Sequence, residues 1–208
     1  NNFYWTPLVT PNKKNQFPKN LILKPIKIKK VLKQKNGTIV ITKGQVSVPP
    51  PVFGKQMIYI QDKTAGIQLY FYHHQWPKLK LGTWVRVTGE ISSVRGEKRI
   101  KVKEKKDVKR IKEGQLKAKT IGWEGLEKNV GRLVTISGTV SSSSGSTFYL
   151  AQGNAELKIY IKESTKIDKP TTRKGYQAII TGILVKTDQG FKLLPRFQQD
   201  LKINAISQ

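Results

Sequence analysis

The sequence predicts an all-β protein in which two tandem five-stranded barrels follow an irregular basic N-terminal tail. Three observations predict this class. Apolar, β-branched segments are short and end at Gly or Pro, as strands do. Five such segments follow one another with a long pause after the third. The pattern then repeats at a shift of about 90 positions, which indicates a duplicated domain.

The N-terminal tail is predicted over residues 1–20, where Asn, Pro and Lys dominate without helical or strand periodicity. From Leu21 to Lys35, Ile and Lys alternate, which predicts a strand laid across the first barrel. The 208 residues suffice for two domains of about 100 residues each. We therefore assign residues 1–20 to the tail, residues 21–112 to the first barrel with its basic leading strand, and residues 113–208 to the second barrel.

Five segments make up the first predicted barrel. A connection with His73, His74 and Trp76 separates the third segment from the fourth. Five strands with a pause at this point are typical of the OB-fold, in which a helix or loop closes the end of the barrel. The segments are Thr38–Val48, Met57–Gln61, Ile67–Tyr72, Trp84–Ser92 and Arg99–Val102.

The second barrel is predicted from four matches to the first, in the same order and at nearly constant spacing. Chance does not produce such a series, so the sequence indicates one barrel written twice. The matched pairs are Ile58–Gln61 with Phe148–Ala151, Ile67–Phe71 with Leu157–Ile161, Val87–Ile91 with Ile180–Leu184, and Asp107–Lys109 with Asp200–Lys202.

The charge of the chain is its strongest functional signal. Thirty-nine Lys and Arg residues against 13 Asp and Glu give a net charge of +26. Such an excess attracts polyanions and favours binding that depends on salt and tolerates many sequences. Nucleic acid is the polyanion that we expect, with anionic membranes and polysaccharides as alternatives. No segment approaches the roughly 20 apolar residues of a transmembrane helix.

The residue inventory argues against an enzyme. The chain has no cysteine, which excludes thiol catalysis, disulfides and cysteine-based zinc sites. Its two histidines, His73 and His74, are adjacent and would point to opposite sides of an extended segment. The acidic residues are scattered, and Asp62 is expected to cap the turn into Gly66. We therefore expect a binding protein without catalytic residues, metal site or cofactor.

Several segments resemble bacterial tandem OB-fold nucleic-acid-binding domains of secreted or surface proteins. They are Tyr59–Ile67 (YIQDKTAGI), Gly131–Val140, Phe148–Leu150 and Leu193–Phe197, and the resemblance covers roughly residues 36–206. It implies the fold, nucleic-acid binding and a bacterial cell-surface or secreted location, while a cytoplasmic location stays open. The chain begins at Asn1, so we expect it to be part of a longer or processed protein.

The expected ligand surface follows from strand alternation, since successive side chains face opposite sides. Inward Ile58 and Ile60 leave their neighbours outside, and the same holds for the strand that contains Leu69. These two strands form the surface on which OB-folds bind oligonucleotides. The outward candidates are Tyr59, Gln61, Gln68, Tyr70 and Tyr72 in the first barrel, and Tyr149, Lys158, Tyr160 and Lys162 in the second. An alternative is that these tyrosines simply favour strands and pack beneath the terminal segments.

Two basic segments border this surface. The hairpin of residues 92–99 closes over the ligand in OB-folds, which makes Arg95, Lys98 and Arg99 candidates for phosphate contacts. Lys101 opens a Lys- and Glu-rich connection that runs to Lys119. This connection is either a charged bridge between two binding faces or a solvated linker.

The function expected from these residues is binding of single-stranded DNA or RNA with low sequence specificity. Tyrosine rings stack on bases, and Lys and Arg side chains contact phosphates. Two alternatives stay open. One is extracytoplasmic capture of double-stranded DNA by charge, and the other is recognition of protein or oligosaccharide by the same strands.

Overall fold

A computed structural model describes residues 24–204, so the predicted tail over residues 1–20 lies outside the described residues. The first barrel opens with a short helix and continues with six strands, the sixth of which lies outside the closed barrel. These elements are α1 (Ile28–Val31), β1 (Ile39–Val48), β2 (Met57–Gln61), β3 (Gly66–Phe71), β4 (Trp84–Val94), β5 (Glu97–Val102) and β6 (Val108–Lys112).

The strand order of this barrel is that of an OB-fold. The sheet runs β1-β2-β3-β5-β4, and pairing between β1 and β4 closes it. The pairing of β3 with β5 is parallel, and the other pairings are antiparallel. Strand β6 adds to the outer edge of β4. The five predicted strand positions are therefore confirmed to within two residues at each end.

The second barrel repeats this arrangement, with one additional short strand. Its strands are β7 (Lys119–Thr120), β8 (Leu133–Ser144), β9 (Thr147–Gln152), β10 (Ala155–Tyr160), β11 (Gln177–Thr187), β12 (Gly190–Leu194) and β13 (Leu201–Asn204). The sheet order is β8-β9-β10-β12-β11, closed by β11 with β8, and β10 pairs with β12 in parallel. Strand β13 pairs with β11 as β6 pairs with β4, and the additional strand β7 pairs with β8. The two tandem five-stranded barrels predicted from the repeat are present.

The predicted leading strand over Leu21–Lys35 is wrong in its described part. Ile26 makes an isolated bridge to β1, and the chain then turns into helix α1. Ile28 and Val31, three positions apart, are both fully buried in the barrel. The N–H of Ile28 donates to the Asp62 carboxylate at 2.9 Å. A helical turn fits because it directs both apolar side chains into the open end of the barrel.

A third apolar cluster lies between the barrels, separate from the core of each. The first barrel contributes Val48, Phe53 and Tyr59, and the second contributes residues from β8, β11 and β12. Leu116 and Ala118 of the connection pack against it. The connection is thus not a solvated linker: Lys101 and Val102 end β5, Lys105–Asp107 form a 3₁₀ helix, Val108–Lys112 form β6, and Leu116 and Ala118 lie at the junction.

Polar contacts tie the barrels together around this cluster. The side-chain oxygen of Gln61 accepts the N–H of Leu133 at 2.6 Å, and Arg196 donates to the Ser47 carbonyl at 3.1 Å. Gly66 and Gly131 bring the two backbones so close that a Cβ on either would overlap the other. The two barrels therefore pack as one body. Within residues 24–204, no helix has the length and apolar character needed to cross a bilayer.

Candidate nucleic-acid interface

The outer surface of β2 and β3 was the predicted ligand surface, with Arg99 of β5 at its border, and the second barrel covers part of it. Tyr59, Gln68 and Arg99 lie side by side on these three strands, pointing away from the barrel core as alternation requires. Yet Tyr59 is only 1% exposed, and Gln61 and Gln68 are 5% exposed. The expectation that Tyr59, Gln61 and Gln68 face solvent is wrong, because the second barrel packs against the side of the sheet to which they point.

The buried ring of Tyr59 is held by packing and hydrogen bonds. It lies edge-on to Phe53, with 5.9 Å between ring centroids. Its hydroxyl donates to Glu97 at 2.7 Å and accepts from the Gln68 amide at 3.1 Å. Burial, followed by the charge of Glu97, raises the pKa of Tyr59 well above its usual value. This tyrosine is a structural element of the junction and cannot stack on a base.

The far end of the same surface is open. Tyr72 is 67% exposed, and its ring meets that of His73 edge-on at 5.3 Å between centroids. Tyr70 is half-buried, with the Arg99 guanidinium 4.3 Å above its ring. Lys101 lies beside Tyr70 on the neighbouring strand and pairs with Glu90 at 3.1 Å. Four predicted residues, Tyr70, Tyr72, Arg99 and Lys101, are therefore brought together at the surface.

Three of these side chains, Tyr70, Tyr72 and Lys101, border a cleft of about 730 Å³, which we call the tyrosine cleft. Its aromatic wall comes from the end of β3, and its basic wall comes from β5 and the short 3₁₀ helix Lys105–Asp107. A base lying on the aromatic wall would thus have cations within reach of its phosphates. The lining residues are Tyr70, Phe71, Tyr72, His73, Gln75, Glu90, Lys101, Val102, Lys103, Glu104, Lys105 and Lys106.

The second barrel has a surface that is equivalent to the one around Tyr59 and Gln68 in the first barrel. Tyr149 on β9 lies opposite Lys158 on β10, which in turn lies beside Lys192 on β12. We call these three the basic row. All three are half-buried, whereas the equivalent residues of the first barrel (Tyr59 and Gln68) are covered.

Side chains of both barrels act on Glu97 at the junction. Tyr160 packs against the inter-barrel cluster, with the Lys162 ammonium 6.0 Å from its ring centroid. Burial raises the pKa of the Glu97 carboxyl, against the hydrogen bond from Tyr59 and the positive charges of Lys162 and Arg99. Burial also lowers the pKa of Lys162, against the attraction of Glu97. Cations of both barrels thus act on one carboxyl group.

The hairpin between β4 and β5 contacts the second barrel. Arg95 is exposed, but its carbonyl accepts the N–H of Asp188 from the second barrel at 3.3 Å. Lys98 donates to the Gln34 carbonyl, so its ammonium holds the segment that follows α1. Among the described residues, no three His, Asp or Glu side chains gather closely enough to hold a metal ion.

Sequence reasoning missed Lys192. It occupies the position in β12 that Arg99 occupies in β5, beside a strand-three residue in each barrel. Carrying the repeat into the fifth strand, where the shift of about 93 positions still holds, would have found it.

No family model matches the chain, and none of the curated proteins matches it. Among solved structures, it is similar to the S. pombe Stn1–Ten1 complex, at 17% identity over 46% of this chain and 83% of that one, with a TM-score of 0.34. It is also similar to a replication protein A heterotrimer bound to single-stranded DNA (12% identity, 83% and 50% coverage, TM-score 0.32). A murine DNA-binding protein bound to double-stranded DNA matches at 9% identity, 84% and 98% coverage and a TM-score of 0.38. At these TM-scores the assignment to tandem OB-fold barrels depends on the chain's own strand order.

Proposed function

We propose that this chain binds single-stranded nucleic acid, DNA or RNA, with little sequence preference. The observation that carries the proposal is the tyrosine cleft, where Tyr72 is exposed beside Tyr70, Arg99 and Lys101. Unpaired bases stack on such rings with about 1–3 kcal/mol per base, whatever their identity. Neighbouring cations neutralise phosphates and release counterions.

The second barrel extends this binding surface. The basic row places Tyr149 between strands that carry Lys158 and Lys192, so it offers the same pair of interactions. The net charge of +26 supplies a field that attracts any polyanion to both surfaces. A bacterial surface or secreted location belongs to the same proposal, since it comes from the family resemblance.

The test is fluorescence anisotropy with a labelled oligothymidine of about 15 nucleotides, a length within the range that one or two OB-folds cover. We expect Tyr72→Ala to weaken binding about 5- to 150-fold, the equivalent of losing one stacked base. Arg99→Ala and Lys101→Ala should each reduce the salt dependence, by about 0.7 in log–log slope for each phosphate that is no longer neutralised. Lys202→Ala, an exposed cation on the opposite side of the second barrel, is the control.

Three outcomes would change the proposal. Unaltered affinity in Tyr72→Ala would reject stacking in the tyrosine cleft. Equal competition by duplex DNA of the same length would favour capture of double-stranded DNA by charge. Indifference to oligonucleotides, with salt-insensitive binding of a protein or oligosaccharide, would move the chain to another class of binding module.

A further inference from the structure

The outer face of β1, β4 and β6 carries three cations in one row. Register pairs Lys43 with Arg86, and Arg86 with Lys109. All three side chains are exposed. Neighbouring strands are about 4.8 Å apart, so the outer two residues stand about 10 Å from each other. We call this row the cation ladder.

The cation ladder is unfavourable for the fold, because like charges directly opposite one another destabilise a sheet. Some cations of the described chain have acidic partners, such as Lys101 with Glu90 and Lys186 with Glu127. Within residues 24–204, the three ladder side chains have neither an ion pair nor a side-chain hydrogen bond. The adjacent row on β4 and β6 adds another exposed cation, Lys112, opposite Trp84.

The duplicated barrel shows that the fold does not need these charges. The same positions in the second barrel hold Ser137, Ile179 and Lys202, paired in the same register. Ile179 is 49% exposed there, so a neutral residue is accommodated without burial. Of the two barrels, only the first therefore carries the cation ladder. It concentrates charge where the architecture tolerates serine and isoleucine.

We propose that the cation ladder is a second binding site, which holds the phosphodiester backbone of another nucleic-acid segment. This inference rests on the proposed function for the identity of the polyanion. In the closed sheet β1 and β4 are separated from β3 by β2 and β5, but Arg86 lies only four residues before Glu90, which lines the tyrosine cleft. The two sites therefore adjoin along β4, and one chain can hold two short segments at once, by stacking in the cleft and by charge on the ladder.

The experiment measures how many oligonucleotides one chain binds. Labelled oligothymidine of about 4 nucleotides, at the low end of what one OB-fold covers, is titrated at low salt and followed by sedimentation velocity, which also reports the oligomeric state. The ladder variant combines Lys43→Ser and Arg86→Ile, which are the second barrel's own residues at these positions. The control combines Lys63→Ser and Lys128→Ser, which removes the same charge from exposed positions elsewhere. Urea unfolding confirms that each variant is folded.

We expect the control to bind as many oligonucleotides per chain as the wild type, and the ladder variant to bind one fewer. The sites that remain in the ladder variant should keep their affinity within about twofold, because neither Lys43 nor Arg86 lines the tyrosine cleft. A ladder variant that binds as many oligonucleotides as the wild type would overturn the second site. Failure of the proposed function looks different: Tyr72→Ala would then bind normally, while the ladder variant would still lose one oligonucleotide.

Discussion

The hydroxyl of Tyr59 tests whether the buried hydrogen-bond network at the junction stabilises the fold. Tyr59→Phe keeps the ring against Phe53 but removes the donor to Glu97 and the acceptor for Gln68. A hydrogen bond to a charged group contributes about 1.5–3 kcal/mol. Glu97 and Gln68 would each lose this hydrogen bond at a place where burial limits replacement by water. We therefore expect the free energy of unfolding to fall by about 2–3 kcal/mol at neutral pH.

Urea denaturation, followed by tryptophan fluorescence, measures this loss. Tyr149→Phe is the matched control, because Tyr149 is its half-buried counterpart in the second barrel and should change stability by about 0.5 kcal/mol or less. Folded Tyr59→Phe should bind oligothymidine like the wild type. Unchanged stability would refute the reasoning, and weakened binding in the folded variant would mean that the hydroxyl contacts the ligand.

The same network predicts a pH dependence. Burial raises the pKa of Glu97 in the folded chain above its unfolded value, so the folded state holds its proton more tightly. Protonated Glu97 therefore stabilises the fold fully at pH values below its unfolded pKa, and this stabilisation is lost as pH rises through its folded pKa. Glu97→Gln keeps an acceptor for Tyr59 without the charge, and its stability relative to the wild type should rise across that window. A constant difference over the acid-to-neutral range would contradict this account.

Three further predictions concern the packing of the barrels. Asp200→Ala leaves Arg196, which is 6% exposed, without its carboxylate partner and should lower the free energy of unfolding by about 3–5 kcal/mol. The equivalent change in the first barrel, Asp107→Ala, removes only the cap of a short 3₁₀ helix and should lower it by about 1 kcal/mol. Asp62→Ala should cost about 1–3 kcal/mol. Although burial raises the Asp62 pKa, hydrogen bonds from α1 and the β2–β3 turn lower it by more, so this stabilisation is present above the unfolded pKa and lost as pH falls through the folded value. Gly66→Ala should separate the barrels and increase the radius of gyration in small-angle scattering, whereas Gly125→Ala, with room for a Cβ, should not.

Each of these predictions has an outcome that contradicts it. Equal losses in Asp200→Ala and Asp107→Ala, measured by urea denaturation, would mean that the ion pair is not buried. An Asp62→Ala variant that keeps the wild-type response to acid would remove the carboxylate from the packing of α1. A folded Gly66→Ala variant with the wild-type radius of gyration would show that the backbones of Gly66 and Gly131 are farther apart than described.

The strands were predictable because their signals are local. Inward Ile58 and Ile60 alternate with outward Tyr59, and the structure confirms that direction. Whether an outward face meets water is decided elsewhere, by contacts such as that of Gln61 with Leu133. One signal was available: the unbroken apolar run from Ile183 to Val185 indicates a strand that is covered on both sides.

The leading segment failed for a different reason. Ile26 and Ile28 fit a strand period, while Ile28 and Val31 fit a helical one, and so short a segment cannot separate the two. The choice depends on the open end of the barrel and on the Asp62 carboxylate 34 positions away. The cation ladder escaped notice in the same way, because its members come from three separate strands.

The apolar junction between the barrels has a consequence for how a polymer engages the chain. When two binding modules are joined by a flexible linker, the gain in affinity from engaging both depends on the length of that linker. Here packed side chains set the separation between the tyrosine cleft and the basic row. Affinity should therefore climb abruptly once an oligomer becomes long enough to reach from one to the other, and then level off.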